Sequence, residues 1–174
     1  MVPCTRSIPT SPSIFPRLLD SEWIATNATI IGDVHTGKFS SIFHGVNIRG
    51  DTCKVNIGSK TVIQDNTILV NSSKNNAEEK IVIGDKVVIG VNCRIDICTI
   101  EDNVYIGNGA TIHKGCYIQN GAMIAPGAVL LPGTIVPYNQ VIYIKLKNFC
   151  VNKILIFLLL FLFVYISKDS LIFS

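Results

Sequence analysis

Residues 100–136 read IEDNVY-IGNGAT-IHKGCY-IQNGAM-IAPGAV-LLPGTI-V, so an aliphatic side chain returns at every sixth position from Ile100 to Val136. A helix repeats its faces about every 3.6 residues and a strand about every 2, and neither gives this spacing. Repeated hexads are typical of a parallel β-helix, a solenoid in which each coil stacks only on its neighbours. The sequence therefore predicts an all-β solenoid with three hexads in each coil.

The same spacing extends towards the N-terminus in shorter runs, separated by a slip before Ile57 and a longer break before Ile83. We expect the first residue of each hexad, the hexad lead, to form columns in the interior. Burying one Ile or Leu stabilises a fold by about 1.5–3 kcal/mol, so stability is spread along the columns. These earlier leads are Ile24, Ile30, Thr36, Ile42, Ile48, Ile57, Ile63, Leu69, Ile83, Ile89 and Ile95.

Two further positions of the hexad have a consistent character. A small or β-branched side chain follows many leads by four residues, and we expect it to fit beside a corner of the coil; examples are Ala28, Ser40, Thr61, Cys93, Ala110, Cys116, Ala122, Ala128 and Thr134. Gly and Asn are expected at the corners because they adopt positive φ at low cost. The predicted corner residues are Gly32, Gly37, Gly50, Gly58, Gly84, Gly90, Gly107, Gly109, Gly121 and Asn108.

The hexads divide the chain into segments. Residues 1–22 have no acidic residue before Asp20 and contain Arg6 and Arg17, which fits either a short presequence or a disordered tail. Residues 23–140 form the predicted β-helix domain, and residues 71–80, all polar except Ala77, interrupt it as a protruding loop. Residues 141–174 are a hydrophobic C-terminal tail.

Within that tail, Ile154 to Ile166 are uncharged and apolar and lie between Lys153 and Lys168. As a helix this run measures about 20 Å, against about 30 Å for a bilayer core, unless the lysines extend to the interface. Three interpretations stay open: a membrane anchor, a helix packed against a partner, or residues translated from a retained intron. A helical segment is therefore predicted after the all-β domain.

Composition excludes some functions. The net charge is +3, without a basic run or aromatic residues interleaved with basic ones, so no nucleic-acid partner is expected. The six cysteines form no C-x-x-C pair. We expect them to be reduced thiols, as in an intracellular compartment.

The segments IFHGVNIRGD (residues 42–51) and IGSKTVIQDNT (57–67) together resemble the signature of the γ-class carbonic anhydrase family, and residues 100–110 and 123–129 extend the match. The resemblance covers residues 23–138. It implies a left-handed β-helix, assembled as a trimer with metal sites at the subunit interfaces. The left hand comes from the resemblance alone, because general crossover rules favour the right-handed form.

The resemblance also indicates where zinc ligands belong. In the family three histidines hold the ion, and their positions correspond to Val70, Val91 and Asp96 here. A catalytic zinc requires three protein ligands and an open position for water, and valine has no lone pair to donate. We therefore expect no metal, no cofactor and no catalytic residue; Gln64, which in the family lies beside the metal-bound water, is expected to be vestigial.

Three further residues match positions that the family uses at its subunit boundary: Arg49, Asp51 and Asp65. The resemblance implies that they make interface contacts in this chain as well. The alternative is an ordinary solvated corner, since single surface ion pairs contribute little.

The predicted function is a non-catalytic γ-carbonic-anhydrase-like structural subunit. It would form a homotrimer or heterotrimer with related subunits, associated with mitochondrial respiratory complex I on the matrix side of the inner membrane; the alternative location is the cytoplasm. Alternative functions are a zinc-dependent carbonic anhydrase with an atypical ligand set around Asp96, a hexapeptide acyltransferase using His113 as base, or a dynactin-type adaptor. His35 and His44 are expected to be surface or interface side chains.

Overall fold

The computed structural model describes residues 6–8, 16–18, 23–71 and 79–143, and these residues form nineteen strands and no helix. In chain order the strands are β1 (Arg6–Ile8), β2 (Arg17–Leu18), β3 (Trp23–Ile24), β4 (Thr29–Thr36), β5 (Ser41–Ile42), β6 (Asn47–Ile57), β7 (Val62–Ile63), β8 (Ile68–Leu69), β9 (Lys80–Ile83), β10 (Val88–Ile89), β11 (Arg94–Ile95), β12 (Cys98–Ile100), β13 (Tyr105–Ile106), β14 (Thr111–Ile112), β15 (Cys116–Ile118), β16 (Met123–Ile124), β17 (Val129–Leu130), β18 (Ile135–Val136) and β19 (Val141–Ile142).

The strands build a prism with three faces, and every pairing between coils is parallel. The first face is a seven-stranded sheet of β3, β5, β7, β10, β13, β16 and β19. The second face contains β8, β11, β14 and β17, and the third contains β9, β12, β15 and β18. The long strands β4 and β6 run across the second and third faces and join them into one sheet.

The ends of the solenoid extend beyond the predicted boundaries of the repeat. Strands β1 and β2 pair with β4, so parts of residues 1–22 add strands before the first coil. At the other end β19 pairs with β16, and the hexads continue by one lead to Ile142. These strand pairings do not test whether residues 1–22 act as a presequence, which stays a prediction. Most of the 71–80 loop and of the hydrophobic tail lies outside the described residues.

Three edges connect the faces. The first edge joins the first and second faces through residues 25–28, 43–46, 64–67, 90–93, 107–110 and 125–128. The second edge joins the second and third faces through residues 31–33, 49–53, 70–71, 79, 96–97, 113–115 and 131–134. The third edge leads back to the first face through residues 37–40, 58–61, 84–87, 101–104, 119–122 and 137–140.

The core consists of the predicted columns. On the second face Ile48 pairs in register with Leu69, Leu69 with Ile95, and Ile95 with Ile112. All four side chains are 0% exposed. The in-register stacking of leads is confirmed, and the parallel β-solenoid with it.

The small position of the hexad also points inward, and its polar members are satisfied. The Ser40 hydroxyl donates to the carbonyl oxygen of Gly58 at 2.7 Å. The Thr61 hydroxyl donates to Gly84 O at 2.8 Å and the Thr67 hydroxyl to Gly90 O at 2.7 Å. A buried hydroxyl without such a partner would be costly, so the ladder explains why Ser and Thr replace Ala here.

The predicted role of the glycines is partly wrong. Apart from Gly32, left-handed backbone in the described residues lies three residues after the lead, where Gly109 (φ +69°) and even Phe39 and Lys86 (φ +57° and +54°) adopt it. Most glycines of the predicted set, such as Gly58 and Gly107, follow the lead directly and lack positive φ. They are required by close approach: a Cβ on Gly107 would lie 2.5 Å from the nitrogen of Pro126.

Candidate functional site

All departures from the hexad spacing in the described residues occur at the second edge. Its flanking leads are nine residues apart in one coil (Ile48 to Ile57), then fourteen (Leu69 to Ile83), then five (Ile95 to Ile100). Leads that flank the first and third edges keep a spacing of six. The second edge is therefore where this chain departs from a uniform solenoid.

Arg49 and Asp51 lie on this edge, within β6. The guanidinium Nη2 of Arg49 is 2.5 Å from Oδ2 of Asp51. The hydrogen bond, and then the negative charge of Asp51, raise the pKa of Arg49 above its usual value. Two of the three predicted interface residues thus pair with each other within the chain, and the Arg49 side chain lies half-exposed at the surface.

Two of the predicted ligand positions share the second edge. Val70 and Asp96 each follow a lead of the second face, and those leads, Leu69 and Ile95, are paired in register. The Val70 and Asp96 side chains therefore occupy successive coils at equivalent positions. Asp96 is only 5% exposed, and its Oδ1 accepts the backbone N–H of Ile97 at 2.8 Å.

The third predicted ligand position, Val91, lies on the first edge. Its backbone N–H donates to Oδ1 of Asn108 in the next coil at 3.0 Å. Gln64 and Asp65 lie on the same edge, one coil earlier, and the Asp65 carbonyl accepts the N–H of Asn92 at 2.9 Å. One chain therefore does not bring the three ligand positions together.

Asp65 also holds its neighbour in the preceding coil. Its Oδ1 accepts the backbone N–H of His44 at 2.9 Å, and Nδ1 of His44 lies 3.5 Å from the same oxygen. The indole of Trp23 packs against His44 and against Phe43, with ring centroids 5.1 and 5.0 Å apart. Asp65 thus has a role within the chain, which sequence analysis did not predict.

The predicted site residues flank a single face. Gln64, Asp65 and Val91 line the first edge, and Arg49, Asp51, Val70 and Asp96 line the second. Between these edges lies the second face, whose outward residues in successive coils are Thr29, Asn47, Ile68, Arg94, Thr111 and Val129.

The second edge carries functional groups that sequence analysis missed. Glu79 lies next to the end of the polar insertion, and its Oε1 is 2.5 Å from Nζ of Lys114 two coils further along. Burial, followed by the charges of Asp51, Asp96 and Glu79, raises the pKa of the Cys53 thiol to about 11. The edge therefore concentrates carboxylates around a buried thiol. The broken spacing alone could have placed these residues together, because every extra residue falls between the same two columns.

The other described cysteines, Cys93, Cys98 and Cys116, are buried as well. Cys98 and Cys116 are in-register neighbours on β12 and β15, 3% and 2% exposed. Burial raises the pKa of both thiols, and it raises the pKa of Cys93 as well. The four described cysteines, Cys53, Cys93, Cys98 and Cys116, are free thiols, as predicted for them.

The histidines are dispersed. His35 lies on β4 with Nδ1 3.1 Å from Oδ1 of Asp33, His44 is on the first edge, and His113 is on the second edge three coils later. Within residues 23–71 and 79–143, no three His, Cys, Asp or Glu side chains are grouped so that they could hold a metal ion.

The residues at the mapped ligand positions do not fit zinc. Two of the three are hydrocarbon, and one oxygen of Asp96 already accepts a backbone hydrogen bond. A tetrahedral catalytic site needs three protein donors, which Val70, Val91 and Asp96 do not supply, even from two chains.

Across the described ranges, no helix has the length and apolarity to cross a bilayer. This finding concerns those ranges alone, and residues 154–166 lie outside them.

The chain is similar in sequence to hexapeptide-repeat proteins and to γ-class carbonic anhydrases. A family model described as "Bacterial transferase hexapeptide (six repeats)" matches residues 97–132. "Gamma carbonic anhydrase 3, mitochondrial" of Arabidopsis thaliana is 43% identical over 95 residues, which are 53% of this chain and 36% of that protein. "Probable carbonic anhydrase" of Methanocaldococcus jannaschii is 44% identical over 84 residues, 48% of this chain and 50% of that protein. The match thus spans between a third and a half of these relatives.

A solved structure covers more of the chain. The hexapeptide transferase family protein of Anaplasma phagocytophilum superposes with a TM-score of 0.69 and 32% identity over 91% of this chain and 93% of that one. The fold is a left-handed β-helix of hexapeptide repeats, as the resemblance implied. The chain belongs to the hexapeptide transferase family, and within it the resemblance to γ-class carbonic anhydrases is confirmed by the relatives it matches.

Proposed function

We propose that this chain is a non-catalytic γ-carbonic-anhydrase-like subunit of a trimer associated with mitochondrial respiratory complex I. One observation carries the proposal: the contact residues expected from the family flank one face, while the zinc positions hold Val70, Val91 and Asp96. Such a chain keeps the means of assembly and lacks the donors for the reaction.

Trimer symmetry explains why the site residues lie on two edges. In a ring of three identical chains, each interface joins one surface patch of a chain to a different patch of the next chain. If the second face is directed to the three-fold axis, the first edge of one chain adjoins the second edge of the next. Val91 of one chain then approaches Val70 and Asp96 of its neighbour, and Arg49 reaches the same boundary.

In a trimer of this chain with two related subunits, the same arrangement of edges would leave one intact site. Two partners with complete histidine sets would retain one working site at their shared interface. Both interfaces that include this chain would lack donors. The chain would then complete and position the trimer without contributing to its chemistry.

Mitochondrial location is supported by the names of relatives. The Arabidopsis thaliana proteins that match at 43–45% identity are named as mitochondrial. Attachment to complex I, on the matrix side of the inner membrane, follows from the family resemblance. Co-purification with the membrane arm of complex I from the native cells tests it, and recovery of this chain only in the cytoplasm would contradict it.

Restoring the ligands tests the site directly. The triple variant Val70→His, Val91→His, Asp96→His should bind one zinc ion per interface and hydrate CO2, because each interface then supplies three imidazoles. The unmodified chain should do neither. The matched control is the double variant Val70→His, Asp96→His, which leaves each interface one donor short. Zinc binding by the unmodified chain would contradict the loss of catalysis, and a zinc-free triple variant would contradict the trimer geometry.

Arg49 tests the contact edge separately. Arg49→Ala should weaken the trimer, as seen by a concentration-dependent fall in mass during sedimentation. Lys38→Ala, on the third edge away from the second face, is the control and should leave the mass unchanged. An unaltered trimer in Arg49→Ala would count against the assigned edge.

A further inference from the structure

The outward row of the second face contains a single charged side chain. That residue is Arg94 on β11, with Ile68 in register in the preceding coil and Thr111 in the following one. Every other outward residue of this face is Thr, Asn, Ile or Val. A lone cation in the middle of a face that is otherwise uncharged therefore has to find its partner elsewhere.

Arg94 has no anionic partner among the described residues. Its side chain is exposed, and no carboxylate within the described part of the chain forms an ion pair with it. The carboxylates on the two flanking edges have other contacts: Oδ1 of Asp65 accepts the N–H of His44, and Oδ1 of Asp96 accepts that of Ile97. The guanidinium N–H groups are thus available to a ligand from outside these residues.

The proposed trimer brings three copies of this cation together. In that arrangement the second face of every chain is directed to the three-fold axis, and symmetry places the three Arg94 side chains at one level along it. Each side of a regular coil contains six residues, so a side measures up to about 20 Å, and the axis of a closed triangle lies about 6 Å from each face. An extended arginine side chain spans a comparable distance. The three guanidinium groups would therefore meet near the axis.

Guanidinium groups that meet in this way repel one another unless an anion lies between them. Arginine presents a planar fork of donors that pairs with two oxygens at once, which suits it to oxyanions. A tetrahedral oxyanion has three-fold symmetry about each of its bonds, so it can offer equivalent oxygens to three identical chains. Phosphate and sulfate meet this requirement, whereas a single carboxylate does not.

The neighbouring levels of the face limit the size of the ligand. Ile68 is 38% exposed in one chain, and three copies of it would form an apolar ring on one side of Arg94. Three copies of Thr111 would form a ring on the other side, with hydroxyls that can donate to an oxygen on the axis. Coils of the same face continue beyond both rings. The enclosed space therefore suits a small inorganic ion better than a phosphate ester.

We propose that three copies of Arg94, one from each chain of a homotrimer, bind one small tetrahedral oxyanion, such as inorganic phosphate, on the three-fold axis. The site rests on the trimer of the proposed function, but it depends neither on the loss of zinc ligands nor on complex I. An anion that binds the trimer and not the separate chains shifts the equilibrium towards the trimer. Arg94 thus makes the assembly of this chain with itself dependent on an anion.

Sedimentation of the full chain in phosphate and in acetate, at the same pH and ionic strength, tests the link between anion and assembly. The trimer should form at a protein concentration at least about tenfold lower in phosphate, because only the trimer binds that ion. Equilibrium dialysis with radiolabelled phosphate should give about one phosphate for every three chains. Phenyl phosphate, in which one oxygen carries a ring, should promote assembly much less than phosphate does. Equal promotion by the two would contradict an enclosed site.

Removing the cation should remove the dependence on phosphate. Arg94→Val gives the second face one more valine, comparable to Val129, and should form the trimer equally well in both buffers without binding phosphate. Lys38→Ala removes one positive charge from the third edge and is the matched control. It should keep the phosphate dependence and the stoichiometry of the unmodified chain. Phosphate dependence that persists in Arg94→Val would contradict the site.

Reversing the charge tests whether the side chains converge, without any bound anion. A trimer of Arg94→Glu alone brings three negative charges together, just as the unmodified trimer brings three positive ones. An equal mixture of the two proteins in acetate should form mixed trimers at a concentration about tenfold lower than either protein alone, because opposite charges are then adjacent. No preference for mixed trimers would show that the side chains at position 94 do not meet.

The outcomes separate this site from the proposed function. If the unmodified chain forms equally stable trimers in phosphate and in acetate and binds no phosphate, the anion site is wrong and the trimer stands. Binding of one phosphate by each chain would also overturn the site, because the anion would then lie away from the axis. If neither the unmodified chain nor Arg94→Val forms a trimer in either buffer, the proposed trimer of identical chains is wrong, and the site with it.

Discussion

Residues 100–136 and the coils before them differ at one edge only. From Ile100 onward all three edges keep the six-residue spacing, and so does the first coil, whereas the three coils between them gain or lose residues at the second edge. Despite this, Ile57, Ile83 and Ile100 remain in register in the third-face column. The stacking of leads in the interior therefore tolerates edges of different length, provided that the next lead returns to its column.

This tolerance explains why extra residues, and the contacts that they make, occur at the edges of a solenoid. An inserted residue in the interior would displace every lead after it, because the columns stack in register. At an edge the extra residues extend outward instead. Asp51 and Glu79 lie in the two extended segments, and Glu79 contacts Lys114 of a regular coil.

The largest effects are expected from truncating core leads, and they show whether regular and irregular coils are packed equally well. Ile112→Ala and Ile83→Ala each truncate a side chain that is at most 2% exposed. Both should lower the free energy of unfolding by about 2–5 kcal/mol, measured by chemical denaturation. The two losses should agree within about 1 kcal/mol. A much smaller loss for Ile83→Ala would show that the coil after the insertion is poorly packed.

Alkaline pH should lower the free energy of unfolding through Cys53, which lies on the irregular second edge. Burial and nearby carboxylates raise the pKa of Cys53 from 9.0 to about 11 in the folded chain. Below the pKa of the unfolded thiol both states are protonated, so the stabilisation is complete; it is lost as pH rises from about 9 to about 11. Unfolding free energies measured across that range should fall, and fall less steeply in Cys53→Ala.

The control separates this thiol from other alkaline titrations. All other titratable groups are present in both proteins, so the difference in slope isolates Cys53. Identical slopes for Cys53→Ala and the unmodified chain would contradict the assignment.

Glycine substitutions distinguish the two roles that glycine has in a hexad. A Cβ on Gly107 would lie 2.5 Å from Pro126 N, whereas Gly109 has φ +69° and open space around it. Gly109→Ala should cost about 1–2 kcal/mol through backbone strain alone. Gly107→Ala should cost more, because the next coil must move. The reverse order in thermal denaturation would contradict the close-approach explanation.

The smallest expected effect is a gain in stability from a substitution at Phe39. Phe39 is a bulky residue in the left-handed region, where Asn is tolerated far better. Phe39→Asn should raise the unfolding free energy by up to about 1 kcal/mol. Asn103→Phe, at the same hexad position, is the reciprocal variant and should be destabilising. No gain in Phe39→Asn would indicate that the exposed ring makes a compensating contact.

Much of the fold was predictable because one residue in six fixes it. The aliphatic leads specified coil length, column membership and parallel pairing, including the return to register at Ile57 and Ile83. The roles of Gly58 and Gly107 were not predictable, because close approach depends on the neighbouring coil and not on the residue itself. The left hand of the helix required a family resemblance.

The site was predictable in part. The sequence and the family resemblance indicated which residues to inspect, but not that they divide between two edges of the second face. Cys53 and Glu79 were missed because they belong to the irregular segments, where no period assigns a direction to a side chain. The broken spacing between Ile48 and Ile57 was the available signal.

The most direct test of the account is the native mass of the purified full chain, measured together with its zinc content. The account predicts a trimer, with itself or with related subunits, in which no interface that includes this chain contains zinc. One zinc ion at each such interface, held by this chain with its Val70, Val91 and Asp96 unchanged, would contradict it.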